Sequence, residues 1–495
     1  MLTNNENTQE WLKNAVNGGI IHSYAQKDFL YLVTEVKTVK RLLAIMMAIV
    51  LVIMALVSCE DAEIESVSDS ATVNQSEIVT DVVIENNSDD EADNSEPIQN
   101  EIDKPASNQE KPVFNGSEST KGLKFTLNPD GLGYTLVGRG TANSKEIVID
   151  GHEGLPVTTI GYAAFENDKT ITSVKIGDSV EYISDYAFSQ CAGITSVTMG
   201  SGVRELGVYS FRYCTALKSI TLGKNVQRIK YGTFYNSKNL ATINLPDTLR
   251  CTEEYAFDKT AYFTNSGNWK NKVLYIGKHL IKAKSDITGK VTVASGTLSI
   301  GGLAFDGCAS FTGIVIPDSV RAIGPRAFQN ATKLTSVSVG KGVEYIGELA
   351  FEKSGFFNAA GNWKNNVLYV GNYIVAAKTS LSGSYSINNG TKVIADMAFN
   401  SCANVSSIAI PDSVVYVGEY AFLNCSKLSS VSVGASVKEI GIYAFKGCSS
   451  LGSLTFAKTS GWKAGNISIP ESKMSKSEAA LTVAMLYSNK ILRRS

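Results

Sequence analysis

Ile171-Thr-Ser-Val174-Lys-Ile176-Gly-Asp178-Ser-Val180-Glu-Tyr-Ile183-Ser-Asp-Tyr-Ala187-Phe188-Ser-Gln-Cys191 decides the reading of this chain, because it recurs. Phenylalanine returns at Phe165, Phe188, Phe211, Phe234, Phe257, Phe305, Phe328, Phe351, Phe399, Phe422 and Phe445; eight of the ten spacings are 23 residues and the other two are 48. A small residue precedes each ring, Ala at nine positions and Ser210 and Thr233 at the others. Five residues before the ring runs a second column (Ile160, Ile183, Leu206, Ile229, then Thr252, and Ile300 onward), and eight before runs a third (Val157, Val180, Val203, Val226, Leu249). Three columns in phase at a 20–50-residue period signify a solenoid, since one repeat cannot bury its own apolar face.

Within the unit, Ile171, Val174 and Ile176 have the LxxLxL spacing of a leucine-rich repeat, whose alternating positions form a short strand. Gly/Pro-Asp-Ser then turns the chain, and Ala-Phe suits a short helical turn carrying its ring into the core. The expected fold is a right-handed β-rich array with short helical turns, of roughly 12 coils and about 60 Å long at ~4.8 Å per coil.

The pattern I/L-x-x-I-x-I-P-D-S-V-x-x-I-G-x-x-A-F-x-x-C resembles the BspA-like, treponemal-type leucine-rich repeats; 408–425, ending Ala421-Phe422-Leu-Asn-Cys425, follows it at nearly every position. The resemblance implies a surface protein that binds host matrix or plasma proteins such as fibronectin and fibrinogen. It fixes an architecture and not a ligand, so two rivals stay open: an envelope spacer without a specific ligand, and a surface glycan-binding component.

Outside the repeats the chain is uneven. Residues 1–59 sum to +1, 60–121 to −14 and 122–495 to +12, which together give the net −1. Lys37, Lys40 and Arg41 precede an apolar run over 42–57. That run is short for a membrane span, at roughly 20 residues, and fits an export signal. It ends Leu56-Val57-Ser58-Cys59, which resembles a lipobox and implies lipid attachment at Cys59 and anchorage in the bacterial cell envelope. Residues 1–36 do not fit such a signal, so translation is expected to start near Val36. From 60 to 103 there are 15 acidic residues and no Lys, Arg or aromatic, the composition of a solvated tether. The domain plan is therefore 1–58 signal, 59–121 acidic stalk, 122–160 N-terminal cap, 161–457 repeats and 458–495 C-terminal cap, the last including a helix opened by Ser475 and Glu478 as a capping box.

Two insertions of 25 residues, near 261–285 and 355–379, interrupt the period. Both carry Gly-Asn-Trp-Lys-Asn-x-Val-Leu-Tyr, and Gly277-Lys278 and Gly371-Asn372 read as two-residue β-hairpin turns. On a protruding hairpin Trp269, Tyr275, Trp363 and Tyr369 are candidate ligand contacts. The favoured alternative has each Trp folding back to pin its hairpin.

Chemistry has little footing. Cys191, Cys214, Cys308, Cys402, Cys425 and Cys448 all lie three residues after a column Phe, a slot that Thr260, Ala331 and Ser354 fill elsewhere, which favours packing over a disulfide or zinc; Cys251 stands outside it. Asp178, Asp247, Asp318 and Asp412 recur at the turn, but Lys224 and Lys341 interrupt the file and argue against calcium. His22, His152 and His279 are the only histidines, and none sits in a nucleophile or metal motif. No cofactor, metal or catalytic residue is expected. The basic body has no run of basic residues interleaved with aromatics, so nucleic acid is not an expected partner; an extracellular protein or glycan is, with the membrane reached through the lipid.

Overall fold

The computed structural model describes residues 114–494 apart from 465–466, 476, 478–479, 481–483 and 485–490. The signal, Cys59, the acidic stretch over 60–103 and most of the expected 475–485 helix lie outside the described residues.

Each coil contributes to two parallel ladders. In the longer one, Glu146–Ile149, Ser173–Ile176 and Ser196–Met199 stack in register, Ile147 beside Val174 beside Val197. Alternation puts Val174 and Ile176 inside and leaves Lys175 in water. In the shorter one, Leu155–Ile160, Tyr182–Ile183, Glu205–Leu206, Arg228–Ile229 and Cys251–Thr252 pair one after another. Each step there is one sequence period, Tyr182 to Glu205 and Arg228 to Cys251. The period read from the sequence is thus the ladder register. The result is a β-solenoid of about 14 turns.

The Ala-Phe element closes each coil. Ala187, Ser189 and Cys191 donate backward to Ser184, Tyr186 and Phe188, while Tyr186, Phe188 and Gln190 donate to Val208, Ser210 and Arg212 of the next coil. Helical-type turns therefore alternate with rungs between coils. Left-handed φ at Tyr186 (59°) and Gln190 (62°) stops them from propagating into a helix. The rings of the column are 0–4% exposed. They stack coil on coil, with centroids 5.1–5.7 Å apart from Phe165 to Phe257. A small residue must precede each ring because that position is itself walled in, as the complete burial of Ala187, Ser210 and Thr233 shows.

The insertions are coils in their own right. Trp269–Lys270, Val273–Ile276 and His279–Ala283 form an antiparallel meander turning at Gly277, whose φ of 58° suits glycine. His279–Ala283 then pairs in parallel with Ser299–Ile300 of the short ladder, and Gly289–Thr292 with Phe311–Ile316 of the long one. The second copy repeats this through Tyr373–Ala377 and Ser382–Ser386. The expected hairpin turns are present, but the hairpins do not protrude: each occupies a turn of the solenoid. A spacing of 48 is two periods and two residues, which accounts for the turns beyond the expected 12.

The ladder ends are covered. Lys124–Leu127 runs antiparallel to Tyr134–Gly138, which pairs with Leu155–Ile160 and shields the first edge. At the other end Leu492–Arg494 pairs antiparallel with Glu439–Ile440 and with Trp462–Ala464. A strand therefore closes the short ladder there, beside the one-turn helix Glu471–Met474.

Candidate binding surfaces

The recurring turn and slot residues bond neighbouring coils to one another. Asp178 accepts from the backbone N–H and the hydroxyl of Ser201, one coil on, at 2.6 and 2.9 Å. Asp318 and Asp412 accept from the backbone N–H of Lys341 and Ala435. Backbone and hydroxyl donation from Ser201 holds the Asp178 carboxyl below its usual range. The carboxylate caps a turn, and no metal-ligating cluster exists among the described residues. The column cysteines are all free thiols. Cys191, Cys214, Cys425 and Cys448 donate to the carbonyl of the preceding column Phe, at 3.0–3.3 Å. Burial pushes the Cys191 and Cys402 thiols up to about 12, so they remain protonated donors. Ser237 fills the same slot and makes the same bond. Cys251 belongs to the short ladder and packs into the apolar cluster of the following coils.

His279 lies 2.8 Å from the Ser299 hydroxyl, but both are 1% exposed. Burial lowers the imidazole pKa to about 4 and keeps it neutral. The pair is sealed wall material.

Trp269 and Trp363 are half-buried and held in place. Each indole N–H donates to a backbone carbonyl six residues back, Phe263 at 2.8 Å and Phe357 at 2.7 Å. Each ring also meets that Phe edge-on and carries a lysine, Lys284 or Lys378, over its face. They pin the meander and are not free contact anchors. Tyr275 and Tyr369 differ from the tryptophans. Tyr275 lines a cavity of about 1000 Å³ between the first meander and the strand Gly289–Thr292. Its hydroxyl accepts from the Ala294 N–H at 3.3 Å. At Tyr369 the hydroxyl is 3.0 Å from that of Tyr385, which stands where the first copy has Val291.

The inner face carries a contact that the repeat pattern does not announce. Arg228 reaches Glu419 at 2.7 Å, Arg250 reaches Glu439 at 3.2 Å, and Arg326 joins Glu254 to Glu348 at 2.8 and 3.1 Å. Arg228 and Glu419 are 191 residues apart. In a straight stack eight rungs would hold them about 40 Å apart. The solenoid therefore bends until these stretches touch across the short ladder, and the straight stacking behind the expected length of about 60 Å is not kept. Asp396 lies at this seam. It accepts from the hydroxyls of Tyr345 (2.8 Å) and Tyr416 (3.0 Å) and from the Glu419 N–H (2.8 Å). Burial and the charge of Glu419 push its carboxyl up to about 8. Burial is the largest influence on Arg228 and opposes its charge, yet Glu419, Tyr345 and Glu205 together hold the guanidinium pKa high.

The first stretch bears a stripe of tyrosines. Tyr162, Tyr186, Tyr209, Tyr231 and Tyr255 follow one another with centroids 5.3–5.7 Å apart. Arg212 sits over Tyr186, Tyr209 and Tyr213 at 4.6–5.6 Å. Tyr162 is 70% exposed and Tyr255 43%. The sequence signal existed, a Tyr two residues before the ring at 186, 209, 255, 420 and 443, but the Phe column overshadowed it.

With this geometry in hand, residues 141–264, 251–382 and 369–468 match the family described as BspA type Leucine rich repeat region, in six copies, together about two-thirds of the chain. No curated protein matches. Among solved structures the chain is similar to a T. pallidum leucine-rich repeat protein at 21% identity, over 44% of this chain and 91% of that one, with a TM-score of 0.31. It is similar to a leucine-rich cell surface protein of Faecalibacterium prausnitzii at 22% identity, over 71% and 96%, TM-score 0.25. A Bacteroides capillosus leucine-rich repeat protein aligns at 28% identity over 26% and 98%, TM-score 0.23.

Proposed function

The chain belongs to the BspA-type leucine-rich repeat family, and from that premise we propose that it is an exported adhesion protein, held at the cell envelope through lipid on Cys59, that binds an extracellular protein. The observation that carries the reading is the tyrosine stripe with Arg212. Tyr and Arg are the residues enriched at the energetic centres of protein interfaces, and an exposed aromatic patch on a repeat surface is the usual form of such a site. The Arg–Glu seam occupies part of the short-ladder face, and the partner engages the exposed tyrosines Tyr162, Tyr213 and Tyr255. The lysine-rich body adds electrostatic steering without setting specificity.

Immobilised fibronectin and fibrinogen are the first probes, chosen on the family resemblance. Saturable binding that survives about 0.3 M salt is expected, because apolar contacts outlast screening. Replacing Tyr162 and Tyr213 by Ala, both solvent-facing, should weaken it by tenfold or more, about 1.4 kcal/mol. Absence of binding to either protein favours the spacer reading. Anchorage is tested separately: Cys59→Ala should release the protein into the medium.

A further inference from the structure

The cavity beside the first meander is unlike its counterpart in the second, and the difference indicates a ligand. The two insertions align residue for residue at an offset of 94, from Trp269 and Trp363 through Thr297 and Thr391. At that offset nine of the eighteen lining residues change, among them Tyr262 to Phe356, Lys278 to Asn372, Lys290 to Ser384, Val291 to Tyr385 and Ala294 to Asn388. In the second copy the Tyr385 ring crosses to the meander and its hydroxyl meets that of Tyr369 at 3.0 Å. The protein thereby shows what this position accommodates: a six-membered ring carrying a hydroxyl.

In the first copy Val291 has neither ring nor hydroxyl, and about 1000 Å³ stays open. That is the upper end of the roughly 300–1,000 Å³ typical of pockets for organic ligands. The Tyr275 hydroxyl accepts from Ala294 and keeps its proton to donate. Lys270, Lys278 and Lys290 line the space, and no Asp or Glu among the described residues does. Lys278 is held by Asp247, whereas Lys270 and Lys290 have no ion-pair partner among the described residues. Asn268, Asn271 and Thr292 supply further donors and acceptors.

The geometry points to a binding site for an anionic sugar, a short glycan whose pyranose ring takes the place Tyr385 takes in the other copy. One ring hydroxyl meets Tyr275, and the carboxylate faces Lys270 and Lys290. The site is separate from the tyrosine stripe and does not depend on what the stripe binds.

Calorimetric titration of the full chain tests this with three probes: a tetrasaccharide of alternating glucuronic acid and N-acetylglucosamine, the neutral N-acetylglucosamine tetramer, and sodium sulfate. One tetrasaccharide should bind per chain, with the neutral tetramer at least tenfold weaker and sulfate weaker still. Val291→Tyr should reduce tetrasaccharide binding at least tenfold, leaving the melting temperature and any matrix-protein binding unchanged. The second copy already tolerates a tyrosine at that place. Lys290→Ser, which installs the side chain the second copy carries there, should weaken the charged probe alone. The inference is overturned if the tetrasaccharide fails to bind at millimolar concentration, if the neutral tetramer or sulfate binds as well, or if both variants bind like the parent.

Discussion

The first and second insertions are two castings of one backbone. Both have the pinned indole, the Gly-turned hairpin and the strand that rejoins each ladder, yet they differ in what fills the space they enclose and in the coil that comes next. Where the coil after the second insertion has Asp396, the coil after the first has Gly302. A Cβ there would lie 3.1 Å from the Thr252 carbonyl oxygen and 3.2 Å from that of Pro325, so a side chain at the first junction would press on the backbone of both neighbouring coils. Residues that hold the coil together repeat; half of those that face the cavity do not. Identity of fold between the copies therefore says nothing about identity of role.

The largest test of the equivalence lies in the ring column. Phe305 stacks on Phe311 and Phe328, and Phe399 on Phe422 with Tyr385 nearby. Phe305→Ala and Phe399→Ala should each cost about 3–5 kcal/mol, read by denaturant unfolding or local proteolysis. A much smaller loss at either would show that its coil is not a full member of the stack.

Next comes the seam, where the copies should part. The Asp396 carboxyl is raised in the folded protein to about 8, from an ordinary value near 4. Its folded-state contribution is complete below the unfolded value and is lost as pH rises through about 8. Between those limits the native state holds the extra proton, so stability falls with rising pH, by at most about 1.4 kcal/mol for each pH unit. Asp396→Asn should flatten this slope in thermal melts from pH 5 to 9, whereas Gly302 gives the first junction nothing to titrate. An unaltered slope would place the titrating group elsewhere.

Smaller still, Trp269→Phe and Trp363→Phe remove one hydrogen bond each and should cost about 1 kcal/mol, equally in both copies. Unequal losses would mean that one indole does more than pin its meander. Tyr385→Phe, which deletes the hydroxyl pair with Tyr369, should cost a similar amount or less in stability melts.

Much of this is legible in the residues. The Phe column, the 23-residue register and the hairpin turns are local signals, repeated often enough to be read without structure. The indole pins are legible too, since a Trp that recurs with its hairpin belongs to the hairpin. That each insertion is a coil is hidden because it carries no Ala-Phe turn, the feature by which coils are counted. The bend is hidden for a deeper reason. Arg228 sits in a column that elsewhere holds Tyr182, Glu205 and Cys251, while Glu419 shares one with Asp185, Glu254, Glu348 and Asp396; the acids recur, but nothing periodic says which base each one meets. The short ladder is broken at both insertions, where Gly302 and Asp396 donate past the meander to Thr252 and Ile346, and only the assembled coils bring the two residues together. The cavity likewise depends on a comparison of Val291 with Tyr385, which means something only once both are known to face the same space.

The Arg–Glu seam also changes how the solenoid carries load. In an open array, tension between two coils passes through every rung between them. Here Arg228–Glu419 and Arg250–Glu439 form a parallel path some 190 residues shorter along the chain. Stretching the array between those points strains the bridges first, and the intervening coils extend only after they part. The fold thus behaves as a coiled spring with a clasp, stiff until the clasp opens and compliant afterwards.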